Sequence, residues 1–289
     1  MKTTFSKIIA GTMNWGLWGK NLNTKEMASL IEICLEHHIT SFDHADIYGD
    51  YTTEAEFGNA FHESKTDRSK IQFISKCGIQ HPSSNSPYQI KHYNTTKEHI
   101  ITSVEKSLFN LKTDYLDLLL LHRPNPLMQA DEIAEAIEKL KQEGKIIDFG
   151  VSNFSPSQTE LIQSRTKVYY NQIQFSITHF DSLFNGDLDY MQIHKIRPMA
   201  WSPLGNVFKE NTPQTNQLQN ILAKMMLQYN TTADVLLLAW ILKHPSGILP
   251  VTGTASADRL KTITKATTLN LSPEDWFELL ESSQGHQVP

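Results

Sequence analysis

The chain has 289 residues, 39% of them apolar, with 31 acidic and 26 basic side chains. That suits one large domain, residues 1–289, with a full core, and the net charge of -5 argues against a general nucleic-acid or membrane surface, although a phosphate-bearing cofactor needs only a local cluster of cations. Two cysteines, Cys34 and Cys77, cannot build a disulfide framework or a metal site, the start lacks the apolar run of a secretion signal, and no later run is long enough to cross a bilayer, so a cytoplasmic protein is expected.

Residues 7–16 read as an extended segment rich in Ile, Gly and Thr. Across 24–38, Met27, Leu30, Ile31, Cys34 and Leu35 recur at helical spacing behind Thr24 as N-cap. A strand ending at Asp43 follows, then a helix over 53–63 and a strand over 72–77. After a polar loop, 80–93, the alternation continues with helix 96–111, strand 117–121, helix 131–143 closed by Gly144, and strand 146–151. Helix 157–164, strand 170–175, helix 188–195 and strand 198–201 come next. A longer helical region over 215–243, a strand over 248–251 and a helix over 257–266 complete the repeat, and a last helix near 273–282 lies outside it.

Strands centred near Ile8, Phe42, Ile74, Leu119, Phe149, Ile173, Met199 and Leu249 make eight βα units, which predict an α/β fold of the closed (β/α)8 TIM-barrel type with an extra C-terminal helix. Runs such as Leu116-Asp-Leu-Leu-Leu-Leu are apolar on both faces, as a parallel sheet covered by helices requires. The competing doubly wound sheet would want a Gly-x-Gly-x-x-Gly turn, and none is present.

In such a barrel chemistry collects at the C-terminal strand ends, where Asp43, Lys76 and His122 stand, with Tyr48 just beyond. Each alone has a plain reading as a salt-bridge partner or a satisfied polar residue; together they suggest a proton-donating site. An ammonium about 4 Å from a phenol oxygen, at an effective dielectric near 20, interacts with the phenolate by about 4 kcal/mol, enough to lower a pKa of about 10 by up to roughly 3 before desolvation opposes it. Tyr48 is then the expected general acid, Asp43 orients Lys76, and His122 donates to an oxygen gaining negative charge. No side chain supplies hydride, so a redox cofactor is implied. At the other end, the Ser202 hydroxyl and the backbone through Gly205, together with Thr252-Gly253-Thr254 ahead of a helix N-terminus, offer anion-binding groups.

The ordered segments Gly11-Thr-Met-Asn-Trp-Gly16, Phe42-Asp-His-Ala-Asp-Ile-Tyr-Gly49, Ser75-Lys-Cys-Gly78, Leu118 to Pro124, Gly150-Val-Ser-Asn-Phe154, Asn171-Gln-Ile-Gln-Phe175 and Trp201-Ser-Pro-Leu-Gly205 resemble the aldo-keto reductases, in particular the bacterial NADPH-dependent oxidoreductase branch. The resemblance runs from residue 1 to about 282. It implies NADPH-dependent reduction of aldehydes or ketones, with Asp43, Tyr48, Lys76 and His122 as the catalytic tetrad. It further implies that Ser152, Asn153 and Gln174 hold the nicotinamide carboxamide and that Trp201 stacks on the ring. Thr12, Met13, Ser202, Leu204, Gly205, Thr252 and Thr254 would line the rest of the NADPH/NADP site, and Arg259 would meet the adenosine 2′-phosphate. The chain departs from the better-known pattern at Gly253, where many members have Lys, and at Thr262 and Ile263, where a polar pair reaches the adenine; looser binding is therefore expected.

Trp15, Trp18 and the 80–93 loop are expected at the mouth, where aromatic walls would suit a small apolar carbonyl substrate, though both tryptophans could equally pack the rim. Cys77 is turned by alternation to the core. Two other functions compete: a Schiff-base aldolase using Lys76, which Asp43 would hinder by keeping the amine protonated, and a nicotinamide-bound regulatory subunit with little turnover.

Overall fold

Eight strands too short and too apolar to face water find partners only in one another. In the computed structural model, which describes residues 3–289, they close into a parallel barrel: β1 (Ile9–Gly11), β2 (Ser41–Asp43), β3 (Gln72–Cys77), β4 (Leu116–Leu121), β5 (Ile146–Ser152), β6 (Tyr170–Gln174), β7 (Arg197–Trp201) and β8 (Leu249–Thr252). Neighbours in sequence are neighbours in space, and β8 pairs back onto β1 through Ile9 with Val251 and Ala10 with Thr252. This is the expected (β/α)8 TIM barrel. Residues 1 and 2, with which the expected domain begins, lie outside the described residues.

Alternation along each strand sorts the apolar residues into two cores. Ile9, Ile74, Leu118, Leu120, Tyr170, Met199, Leu249 and Val251 fill the barrel, and Phe5 closes its lower end edge-on against Tyr170. The complementary faces, among them Phe42, Phe73, Leu119, Leu121, Phe149 and Ile173, pack against the surrounding helices. At roughly 1.5–3 kcal/mol per fully buried large apolar side chain, these two layers supply most of what opposes chain entropy.

The region expected as one helical stretch over 215–243 is two helices, Pro213–Gln228 and Ala233–Leu242, separated where Asn230 turns left-handed. The second is apolar on all sides because it is covered twice, by the barrel and by the closing helix Pro273–Gln284. Trp240 sandwiches between Phe175 and Trp276, and the two indoles exchange N–H bonds with each other's carbonyls. The first outer helix, Thr24–Glu36, is capped by Asn23 rather than the expected Thr24: Asn23 and Glu26 form a reciprocal capping box, which Thr24 has no residue at the right spacing to make. The polar loop carries a small antiparallel pair, Ile79–Gln80 with His92–Tyr93, at the mouth of the barrel. No helix among the described residues is long and apolar enough to cross a membrane.

Candidate active site

β2 ends at Asp43, and the chain then turns sharply to present Tyr48. The turn needs Gly49, whose φ of 57° is left-handed and whose missing Cβ would stand 2.3 Å from Thr53 Oγ1; Asp50 and Tyr51 follow at φ 55° and 72°. Strand β3 brings Lys76 alongside, and β4 ends in His122. All four expected side chains therefore meet at the C-terminal mouth of the barrel, lining one cavity of about 680 Å³ except for Lys76, which lies buried beneath it.

Lys76 fixes the arrangement. Its Nζ donates to Asp43 Oδ1 at 2.5 Å, to the His44 carbonyl at 2.7 Å and to Tyr48 Oη at 3.0 Å. An ammonium has three protons and no acceptor, so all three are spent and Tyr48 is the acceptor of its bond. The phenol proton is left free to be donated, and no described residue takes it. The remaining Asp43 oxygen accepts from Gln172 Nε2 at 2.7 Å, so a carboxylate 2% exposed is fully engaged. Such a charge would be costly to bury unpaired.

Burial opposes the Lys76 ammonium, but Asp43 and Tyr48 outweigh it and hold the lysine above its ordinary range. The expected lowering of the Tyr48 pKa is corrected by the structure. Burial pushes the phenol above 10.0, and Lys76, pulling the other way, does not overcome it. Desolvation is the larger effect here, with the attraction to Lys76 opposing it. Burial, with the charges of Lys76, Arg123 and Lys91, drives His122 well below 6.5, so its imidazole is neutral and offers one N–H. Its Nδ1 is buried without a partner among the described residues.

A hydrogen-bond chain runs from this group around the barrel. Ser152 Oγ donates to the Gln172 carbonyl at 2.9 Å, Asn153 Nδ2 donates to Ser152 Oγ at 2.8 Å, and Trp201 Nε1 donates to Asn153 Oδ1 at 2.9 Å. Ser152, Asn153 and Trp201 all line the cavity. The helix that follows is capped by Ser155, so Ser152 and Asn153 are not its cap. Asn153 and Ser202 are both left-handed, at φ 58° and 50°, a conformation that costs about 1–3 kcal/mol for a residue with a Cβ and tends to collect at ligand clamps.

Three expected placements change. Gln174 does not line the cavity; Gln172 does, being in register with Ser152, whereas Gln174 lies two residues farther along β6, beside Trp201. Trp15 is not at the mouth. It is fully buried between Phe42 and Phe57, with its indole N–H on the Thr254 carbonyl, so it braces the loop instead of forming a substrate wall. Thr12 sits behind the wall: alternation keeps Gly11 on the cavity and turns Thr12 to donate to the Asp43 carbonyl at 3.1 Å and meet His44 Nδ1 at 2.9 Å. Trp18 does line the cavity, tilted against Tyr48 and held by Asp50.

Away from the tetrad the same cavity is lined by Met13, Ser202, Leu204, Gly205, Thr252, Thr254 and Arg259, as expected, and by Asn14 and Lys209, which sequence reasoning missed. Gly205 is required there, because a Cβ at its φ of 55° would stand 2.1 Å from Thr178 Oγ1. Ile263 lines the far end while Thr262 turns back to the Asp258 carbonyl. Cys77 is buried, and burial with Asp46 and Glu54 pushes its thiol well up, so it is not a nucleophile. Among the described residues no group of His, Cys, Asp and Glu could hold a metal ion.

The fold and site thus define a (β/α)8 barrel with a phenol, ammonium, carboxylate and imidazole at one end of an elongated cleft. The aldo/keto reductase family pattern matches residues 7–283. The oxidoreductase YcsN of Bacillus subtilis (strain 168) is 41% identical over 99% of this chain and 96% of its own. A 6-dehydroglucose reductase of Agrobacterium fabrum is 39% identical over 95% of this chain and 94% of its own. Among solved structures, an aldo/keto reductase from Klebsiella pneumoniae in complex with NADP and acetate superposes with a TM-score of 0.79 at 25% identity, covering 99% of this chain and 93% of that one. The chain belongs to the aldo/keto reductase family.

Proposed function

We propose that the protein reduces the carbonyl of an aldehyde or ketone to an alcohol, with NADPH as hydride source and Tyr48 as proton donor. The observation that carries this is the saturated Lys76 ammonium, which makes Tyr48 Oη an acceptor from the lysine and leaves the phenol proton free to reach a substrate oxygen. The cleft fits the cofactor: its volume lies within the range of clefts that enclose a small ligand, strained Asn153 and Ser202 line its wall, and Arg259 and Lys209 bring cations to the end away from the tetrad. Bound NADPH would supply the hydride.

The residues of this chain do the rest. Trp201, fixed through Asn153, would give the nicotinamide a flat wall, and Ser152, Asn153 and Gln172, polar residues of the same wall, would hold its carboxamide. Ser202, Gly205 and Lys209, which line the cavity, would hold the pyrophosphate, and Arg259 would meet the 2′-phosphate. Neutral His122 donates to the substrate oxygen as negative charge builds there, and Tyr48 passes its proton to the same oxygen, its Oη still held by Lys76. The 6-dehydroglucose reductase, whose name describes reduction of an oxidised sugar, supports carbonyl reduction as the reaction type.

Purified protein should oxidise NADPH, followed at its absorbance band, against a panel of aldehydes and ketones, with a lower Michaelis constant for NADPH than for NADH. Comparable constants for the two would remove Arg259 from the phosphate contact. Retention of NADPH without oxidation against the whole panel would favour a regulatory subunit. The aldolase reading needs a free amine, whereas Lys76 is held charged and has no unpaired proton; borohydride trapping of substrate on Lys76 would revive it.

The pH dependence follows from the two shifts. His122 takes up its proton only well below 6.5, and Tyr48 gives up its own only above 10.0. Neither group titrates between those values, so kcat for carbonyl reduction at saturating substrate is expected to be flat across them. A bell centred near neutrality would contradict it.

A further inference from the structure

Arg123 follows His122 at the end of β4 and reaches across the barrel mouth, its Cζ 5.7 Å from the centroid of the Trp201 ring. It is half-buried, lines the cavity, and among the described residues no carboxylate pairs with it and no acceptor takes its N–H groups. Lys91, on the loop above, also lines the cavity, with no acidic partner among the described residues. Some other cations are matched, Arg68 with Asp117, Arg165 with Asp131, Lys97 with Glu135 and Lys145 with Glu105, whereas Lys209 and Arg259, which line the same cavity away from the tetrad, also have no acidic partner among the described residues. The acids of the cavity are already placed elsewhere. Asp43 is held by Lys76 and Gln172, and Asp234 lies on the helix Ala233–Leu242, with its side chain on the Val235 N–H. His81 is next to Asp50, at 3.5 Å.

From this we infer that Arg123 and Lys91 form an anion-binding subsite on the substrate side of the cavity, so that the carbonyl compound reduced here carries a carboxylate, phosphate or sulfonate group. The inference rests on the carbonyl-reduction reading and names its substrate class. It also replaces the expected apolar pocket: Trp18, Ile47 and Ile79 supply apolar surface, but two unmatched cations share the wall with them. A guanidinium taken partly out of water without a partner is costly, and its planar fork recovers that cost best on a carboxylate or phosphate held bidentately. The fields of Arg123 and Lys91 both reach His122, which places the subsite close to the reacting carbonyl. An anion gripped there would fix how the carbonyl meets Tyr48 and His122.

The test compares carbonyl compounds that differ by one anionic group: succinic semialdehyde against its methyl ester, and glycolaldehyde phosphate against glycolaldehyde, each by NADPH oxidation. The anionic member is expected to have a kcat/KM at least about tenfold higher at low salt, with the ratio shrinking as sodium chloride is added. Arg123→Met should bring the ratio near one, and Arg123→Lys should keep part of it. Equal or better turnover of the neutral members by the unmodified protein would overturn the inference while leaving carbonyl reduction standing. A ratio unchanged in Arg123→Met, or a tenfold weaker NADPH affinity in that variant by fluorescence titration, would place the guanidinium elsewhere and overturn it too. If no carbonyl compound is reduced, the functional reading itself fails and this inference falls with it.

Discussion

Lys76→Met is expected to destabilise the fold by about 3–5 kcal/mol, because it leaves Asp43 charged, 2% exposed and without its cation. For a chain of this size that corresponds to a fall of about 5–8 °C in the thermal midpoint. Activity should disappear as well, since Tyr48 loses the only described group that holds its oxygen. The effect separates into charge and shape. In an Asp43→Asn, Lys76→Met double variant the orphaned carboxylate is gone, so much of the lost stability should return while turnover stays absent. Thermal unfolding of the two variants checks this. A double variant no more stable than Lys76→Met would mean that lost packing around the lysine stem, and not an unpaired charge, sets the penalty.

Tyr48→Phe is expected to lower kcat by about 10²–10⁴, the usual contribution of a positioned general acid. The ring keeps its contacts with Trp18 and His122. One Lys76 proton loses its acceptor while Asp43 and the His44 carbonyl keep the other two, so stability should fall by about 1–3 kcal/mol, less than for Lys76→Met. Nothing at the Trp201 and Arg259 end changes, and NADPH affinity should move by less than about twofold. Kinetics alongside fluorescence titration reads both halves, and a variant that keeps its kcat removes the phenol from the chemistry.

How much of this was legible in the chain depends on which physics each feature obeys. Strand count, and with it the barrel, follows from runs such as Leu116–Leu121 that can only be buried on both faces. Since such a fold places strand ends together, Asp43, Lys76 and His122 could be brought to one mouth from their positions alone. Register within a strand was harder. Gln172 and Gln174 point the same way, and only the pairing of Gln172 with Ser152 decides which one lies beside Asp43. Trp15 and Trp18 are three residues apart in one loop, yet one is fully buried and the other half exposed, because Phe42 and Phe57 receive the first indole.

The Tyr48 shift was missed in sign because a sequence identifies a neighbouring charge but not how deeply both groups are buried. Arg123 was passed over for a related reason. Beside His122 in the sequence it looks like one more polar residue, and its interest arises only from having no acidic partner among the described residues and from its reach over Trp201, both of which are facts of three-dimensional packing.

The central claim is that the proton reaching the substrate oxygen comes from Tyr48 while Lys76 grips the same phenol oxygen. It is tested most directly by the solvent isotope effect on a single turnover, with enzyme and NADPH premixed and a reducible aldehyde added in ordinary or heavy water. NADPH decay is expected to be slower in heavy water for the unmodified protein, and that difference is expected to vanish in the slow residual reaction of Tyr48→Phe. The same isotope effect in both proteins would contradict it, because the transferred proton would then come from another group.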